Sequence, residues 1–142
     1  MLGLLVVSHG RLAEELVLAA TRIVGPVEGM EAVSIDWDDK IDGVRDRIDD
    51  AIKRVGDMDG ILILTDMFGG TPTNIALSLL EPGNVEVITG VNLPMLIKFI
   101  SVREKGKLSD ISKGIADQGR QAIHVASELL EGEGTPFMEK KD

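Results

Sequence analysis

Two short, almost unbroken apolar runs, Leu2 to Val7 and Gly60 to Thr65, constrain this chain more than any other feature. Each is too short for a self-sufficient helix and suits a strand covered on both faces. Around them the apolar period is helical. Leu12, Leu16, Ala19, Ala20 and Ile23 recur at helical spacing until Gly25-Pro26 stops them. Ala32 to Ile35 is a weaker strand. Ile41, Val44, Ile48, Ala51, Ile52 and Val55 then mark one face of a second helix, with Asp and Arg opposite. The loop Asp66 to Thr71 leads to a helix from Pro72, Val85 to Thr89 to a strand, and Leu93 to Val102 to a helix. One long helix is predicted from about Ser109 to Glu131, with Leu108, Ile111, Ile115, Ala122, Ala126 and Leu129 on its buried face.

This alternation predicts an α/β protein: a single doubly wound, mostly parallel sheet with helices on both faces and right-handed crossovers. A length of 142 residues suits one domain, assigned to residues 1–131, with no internal repeat or interdomain linker. Residues 132–142, rich in Gly and charge, are read as a tail or an added antiparallel edge strand around Thr135 to Met138. With 44% hydrophobic and 27% charged residues the chain has an ordinary globular composition. Cysteine is absent, which excludes disulfides and thiolate metal sites. The net charge of −9 argues against nucleic acid and anionic membrane, both of which need clustered Lys and Arg. No run has the length of a membrane span, and Leu2 to Val7 is too short for a signal-peptide core. The expectation is a cytoplasmic protein.

In open α/β sheets, ligands sit beyond the carboxyl ends of the strands where strand order reverses. The flavodoxin-like order 2-1-3-4 puts that point between the first and third strands, which here end in Val7-Ser8-His9-Gly10 and Thr65-Asp66-Met67. Adjacent strands lie about 4.8 Å apart, so this order delivers His9 and Asp66 to opposite lips of one crevice. A carboxylate that takes the proton of one imidazole nitrogen leaves the other free as a nucleophile. It also balances the cationic ring formed when that nitrogen bonds phosphorus. Gly10 is expected to open the next helix, so that its free amides face an anion on His9.

Gly69-Gly70-Thr71-Pro72-Thr73-Asn74 reads as a second phosphate cradle, with Thr71 as N-cap and Pro72 at the first helical position. It lacks the Lys of a nucleotide P-loop. Ser8, Met67, Phe68 and Asn92 are rim candidates, although Asn92 is better read as an N-cap. Trp37, after the second strand, can rim the site, with plain packing the favoured alternative. His124 lies off the apolar stripe of the last helix. No metal cluster and no cofactor are indicated.

Val7-Ser8-His9-Gly10, Thr65 to Asn74 and Gly90-Val91-Asn92-Leu93-Pro94-Met95 together resemble the IIA component of mannose-family (mannose/fructose/sorbose) sugar phosphotransferase systems. The resemblance covers the chain to about Val102. It implies that His9 carries phosphate between the phosphocarrier HPr and a IIB component, with Asp66 hydrogen-bonded to it. It also implies a homodimer exchanging a C-terminal strand, and membrane association with a permease only through partners. No Ala/Pro-rich linker or IIB domain follows in this sequence, so sugar transport and a freestanding regulatory phosphocarrier both stay open.

Rival readings start from the same histidine. Sirohydrochlorin-type chelatases need a second active-site histidine, and only His124 is available. Histidine phosphatases need several arginines at the phosphate, and Arg11 alone is near. The phosphocarrier feeding dihydroxyacetone kinase fits Gly69 to Pro72 poorly. A flavodoxin-like sensor binding a free anion or nucleotide is the non-catalytic alternative.

Overall fold

A computed structural model of the chain describes residues 1–131. In order, the elements are β1 (Gly3–His9), α1 (Leu12–Val24), β2 (Met30–Ile35), α2 (Ile41–Val55), β3 (Ile61–Thr65), α3 (Gly70–Ser78), β4 (Val85–Thr89), α4 (Leu93–Val102), α5 (Leu108–Gln121) and α6 (Ala126–Glu131). The four strands form one parallel sheet in the order β2-β1-β3-β4. This is the predicted 2-1-3-4 order. No helix among the described residues is long and apolar enough to cross a membrane.

Strand side chains alternate between faces, so a strand covered on both sides must be apolar throughout. In β1, Leu4 and Val6 enter one core with Ala13 and Ala20 of α1, Phe99 of α4 and Ile115 of α5. Leu5 and Val7 enter the other, with Val44 and Ile48 of α2 and Ile75 of α3. Burying each such side chain contributes about 1.5–3 kcal/mol, which is why the two central strands anchor the fold. At the amino end of the sheet, the Leu2 N–H donates to the Arg103 carbonyl at 3.1 Å, and Arg103 Nε donates back to the Leu2 carbonyl at 2.9 Å.

Several boundaries differ from the sequence reading. β1 continues through Ser8 and His9, because both pair with β2, opposite Ser34 and Ile35. β2 starts earlier, at Met30, which is buried opposite Leu4. In α1 the covered face is Ala13, Leu16, Val17 and Ala20, whereas Leu12 and Ile23 are exposed. The stripe is turned by about one position, because small Ala13 and Ala20 allow close approach to the sheet.

The long terminal helix is two helices. Its buried face ends near Gly119, where a Cβ would stand 2.6 Å from Met95 Sδ. Beyond that point, exposed Ile123 and Val125 interrupt the helix, and α6 buries none of its residues. Ala126 and Leu129 are therefore not core positions. Beyond Gly119 this segment joins neither of the sheet's two cores among the described residues, so its apolar spacing does not become burial there. The proposed edge strand, Thr135 to Met138, lies outside the described residues.

Candidate active site

The parallel register sets Val7 opposite Thr65, so the next residues of β1 and β3 reach the carboxyl edge together. There Asp66 Oδ2 accepts the His9 backbone N–H at 2.9 Å and lies 2.9 Å from His9 Nδ1. Its other oxygen, Oδ1, accepts the Met67 N–H at 2.9 Å. The Asp66 side chain is 11% exposed and that of His9 23%. A carboxylate held by two amides is a fixed acceptor, which assigns the proton to Nδ1 and leaves the Nε2 lone pair free.

Nε2 faces the turn into α3. Gly70 has φ +80°, and a Cβ there would lie 3.1 Å from His9 Nε2 and 3.2 Å from Cε1. Glycine is needed both for the left-handed backbone and for the approach of the ring. Helix α3 begins at Gly70 with Gly69 as N-cap, so Thr71 is inside the first turn and Pro72 is third. The expected Thr71 cap is replaced because Gly69, at φ +92°, turns the chain two residues earlier. The start of α3 thus sits beside Nε2, and unsatisfied first-turn amides with the positive helix end favour an anion there. Thr71 lines a cleft with Ile41, Arg45, Asn74 and Ile75.

The opposite wall differs from expectation. Gly10, at φ +58°, precedes α1 as a turn residue, and its N–H donates to the Ile35 carbonyl at 2.8 Å. That amide is spent on β2 and does not face the ring's anion. Ser8 is buried, and its Oγ accepts the Ala13 N–H at 2.7 Å, satisfying one free amide of α1. Asn92 caps α4 through the Met95 N–H at 3.2 Å and donates Nδ2 to the Gly119 carbonyl at 3.1 Å. Both its polar ends are thus engaged, one in capping α4 and the other in joining α4 to α5. Met67 and Phe68 are exposed on the loop after β3, while His124 is exposed in the α5–α6 link.

Two contributors were missed or undervalued in the sequence. Buried Thr73 donates its hydroxyl to the Met67 carbonyl, and Thr65 Oγ1 lies 3.1 Å from Thr73 Oγ1. This pair ties both ends of the 66–70 loop together; threonines flanking a glycine loop were the available signal. Trp37 stacks on the His9 ring, with centroids 5.3 Å apart and planes inclined by 27°. At 85% exposure it is not packed into any core. A cleft of about 430 Å³ bordered by Leu93, Pro94 and Ile97 of α4 contains none of these groups.

Fold and site together define a parallel α/β protein with a strand-end histidine oriented by a carboxylate and open to a helix start. The chain belongs to the EIIA-man family, described as PTS (phosphotransferase system) fructose IIA component, whose model matches residues 3–116. It is 30% identical over 132 residues to the PTS system fructose-specific EIIA component of Bacillus subtilis (strain 168), spanning 92% of this chain and 90% of that protein. It is 25% identical over 124 residues to the PTS system mannose-specific EIIAB component of Escherichia coli (strain K12), spanning 86% of this chain but 38% of that protein. Among solved structures, the PTS IIA protein associated with the fucose utilization operon of Streptococcus pneumoniae superposes with a TM-score of 0.81 at 25% identity, covering 91% of this chain and 96% of that one.

Proposed function

We propose that this IIA component is a phosphocarrier that takes a phosphoryl group from phospho-HPr onto Nε2 of His9 and passes it to a IIB component. The observation that carries the reading is the asymmetry of the imidazole: Nδ1 is held by Asp66, and Nε2 faces the start of α3 beside Gly70. In the forward step the Nε2 lone pair forms a bond to phosphorus as the donor's bond to phosphorus breaks, and the donor leaves with that electron pair. The proton on Nδ1 stays in place, so the ring gains positive charge that Asp66 balances. The first turn of α3 stabilises the phosphoryl oxygens as their negative charge shifts. Transfer to IIB runs the same step in reverse.

The chelatase alternative is not favoured, since His124 stands in the α5–α6 link and not at the crevice. The test is incubation with enzyme I, HPr and phosphoenolpyruvate. An acid-labile, base-stable phosphate should appear on the wild type and be lost in His9→Ala. Label persisting in that variant overturns the assignment.

The protein is further proposed to work in the cytoplasm as a homodimer through residues 132–142. In support, β4 is an edge strand of the sheet among the described residues, and a sheet edge is where another chain's strand can pair. Removing residues 132–142 should lower the mass seen by light scattering while leaving His9 phosphorylation intact. An unchanged mass counts against the exchanged strand.

A further inference from the structure

We infer that Trp37 is a positioning residue for phosphoryl transfer: its indole, stacked on His9, fixes the plane of the imidazole and stabilises the ring once it carries the phosphoryl group. The inference rests on the phosphocarrier reading and extends it to a side chain outside the histidine–carboxylate pair.

Burial does not explain where Trp37 stands. An indole left 85% exposed gains little from leaving water, yet it lies stacked over the one ring at the centre of the crevice. The backbone that carries it is pinned instead. The Asp39 carboxylate accepts the Asp36 N–H and an Arg47 Nη1 donor, each at 2.9 Å, and the Asp39 N–H donates to the Asp36 carbonyl at 3.1 Å. Arg47 also donates to the Ser34 carbonyl, tying the loop to α2 and β2. A turn braced from three sides holds an exposed aromatic at a set height above His9.

Asp66 holds one edge of the imidazole and so leaves the tilt of the ring about that bond free. The indole face removes that freedom and keeps Nε2 directed at Gly70. Electrostatics adds a preference for the product. The neutral imidazole stacks on the indole weakly. A ring with a proton on Nδ1 and phosphorus on Nε2 is cationic, and indole is the aromatic face that attracts a cation most strongly. A contact stronger after transfer than before it lowers the barrier as well as stabilising the carrier.

The test compares Trp37→Ala, Trp37→Leu and Trp37→Phe with the wild type in single-turnover phosphorylation by enzyme I, HPr and phosphoenolpyruvate. At saturating phospho-HPr, the Ala and Leu variants should be slower by roughly three- to tenfold, whereas Phe recovers most of the rate. The HPr concentration for half-maximal rate should be unchanged. Trp37 is the one tryptophan of the sequence, so its emission should also change on stoichiometric phosphorylation of the wild type. Trp37→Leu matching the wild type, an effect confined to the half-maximal HPr concentration, or constant emission each overturns the inference and leaves the phosphocarrier reading standing. A wild type that accepts no phosphate on His9 overturns both.

Discussion

The two ends of the sheet hold their nitrogen-rich side chains in similar surroundings and use them in opposite ways. At the carboxyl end His9 stacks on Trp37 and meets Gly70; at the amino end Arg103 lies over Phe99, 5.5 Å from the ring centre, and meets Gly29. Arg103 is buried, with Nε on the Leu2 carbonyl and Nη1 on the Glu28 carbonyl at 2.8 Å. Burial pulls its affinity for a proton below the ordinary guanidinium value, against the opposing pull of Glu104 and Glu28. Those donors are directed at backbone within the fold, and Nη2 has no hydrogen-bond partner among the described residues. His9, by contrast, has one nitrogen committed to Asp66 and the other facing the start of α3 beside Gly70. One end is closed on itself for stability, and the other keeps a reactive atom available.

Replacing both residues breaks the comparison most sharply. His9→Ala should abolish phosphate acceptance while moving stability by about 1 kcal/mol or less, since the side chain is only partly buried and Asp66 keeps two amide donors. Arg103→Ala should do the reverse. It strands the buried Leu2 carbonyl and the partly buried Glu28 carbonyl and empties packed volume, at a cost of about 3 kcal/mol in urea unfolding, with transfer kinetics of the folded protein unchanged. An Arg103 variant that folds normally but transfers slowly would show that the two ends are coupled.

Smaller changes sharpen the picture at the crevice alone. Asp66→Asn keeps the size of the side chain but removes the charge that balances the cationic ring. Single-turnover transfer should fall about 10²-fold in a protein that still folds, with a lowered urea midpoint because the new amide NH2 meets one of the two backbone N–H groups that the carboxylate accepts, and an unaltered rate would reduce Asp66 to a turn residue. Gly70→Ala should be milder. Its new methyl meets the imidazole at 3.1 Å in a backbone conformation that costs alanine about 1 kcal/mol. Transfer should slow by roughly tenfold, and the loss should be measurable in thermal unfolding.

The central sheet was legible because its two inner strands are written as continuous apolar runs. The His9–Asp66 pair followed from strand order, since a switch point joins residues 57 positions apart without any local signal between them. The long terminal helix was misread for the opposite reason. Apolar spacing through Ala122, Ala126 and Leu129 says that a helix can form there, and says nothing about whether a neighbour remains to cover it. Thr71 looked like a cap by residue type, whereas Gly69 and Gly70, both at positive φ, had already turned the chain into α3.

Period, strand and helix succession and the choice of glycine at the turns are properties of consecutive residues, so the linear chain determines them through backbone sterics and the alternation of apolar side chains. The stacking of Trp37 on His9, the loss of the Gly10 amide to Ile35 and the reciprocal bonds between Leu2 and Arg103 depend on how segments distant in the chain meet. Those meetings are decided only when the sheet closes its register and the helices settle on its faces, because each donor then takes the nearest acceptor that packing brings within reach.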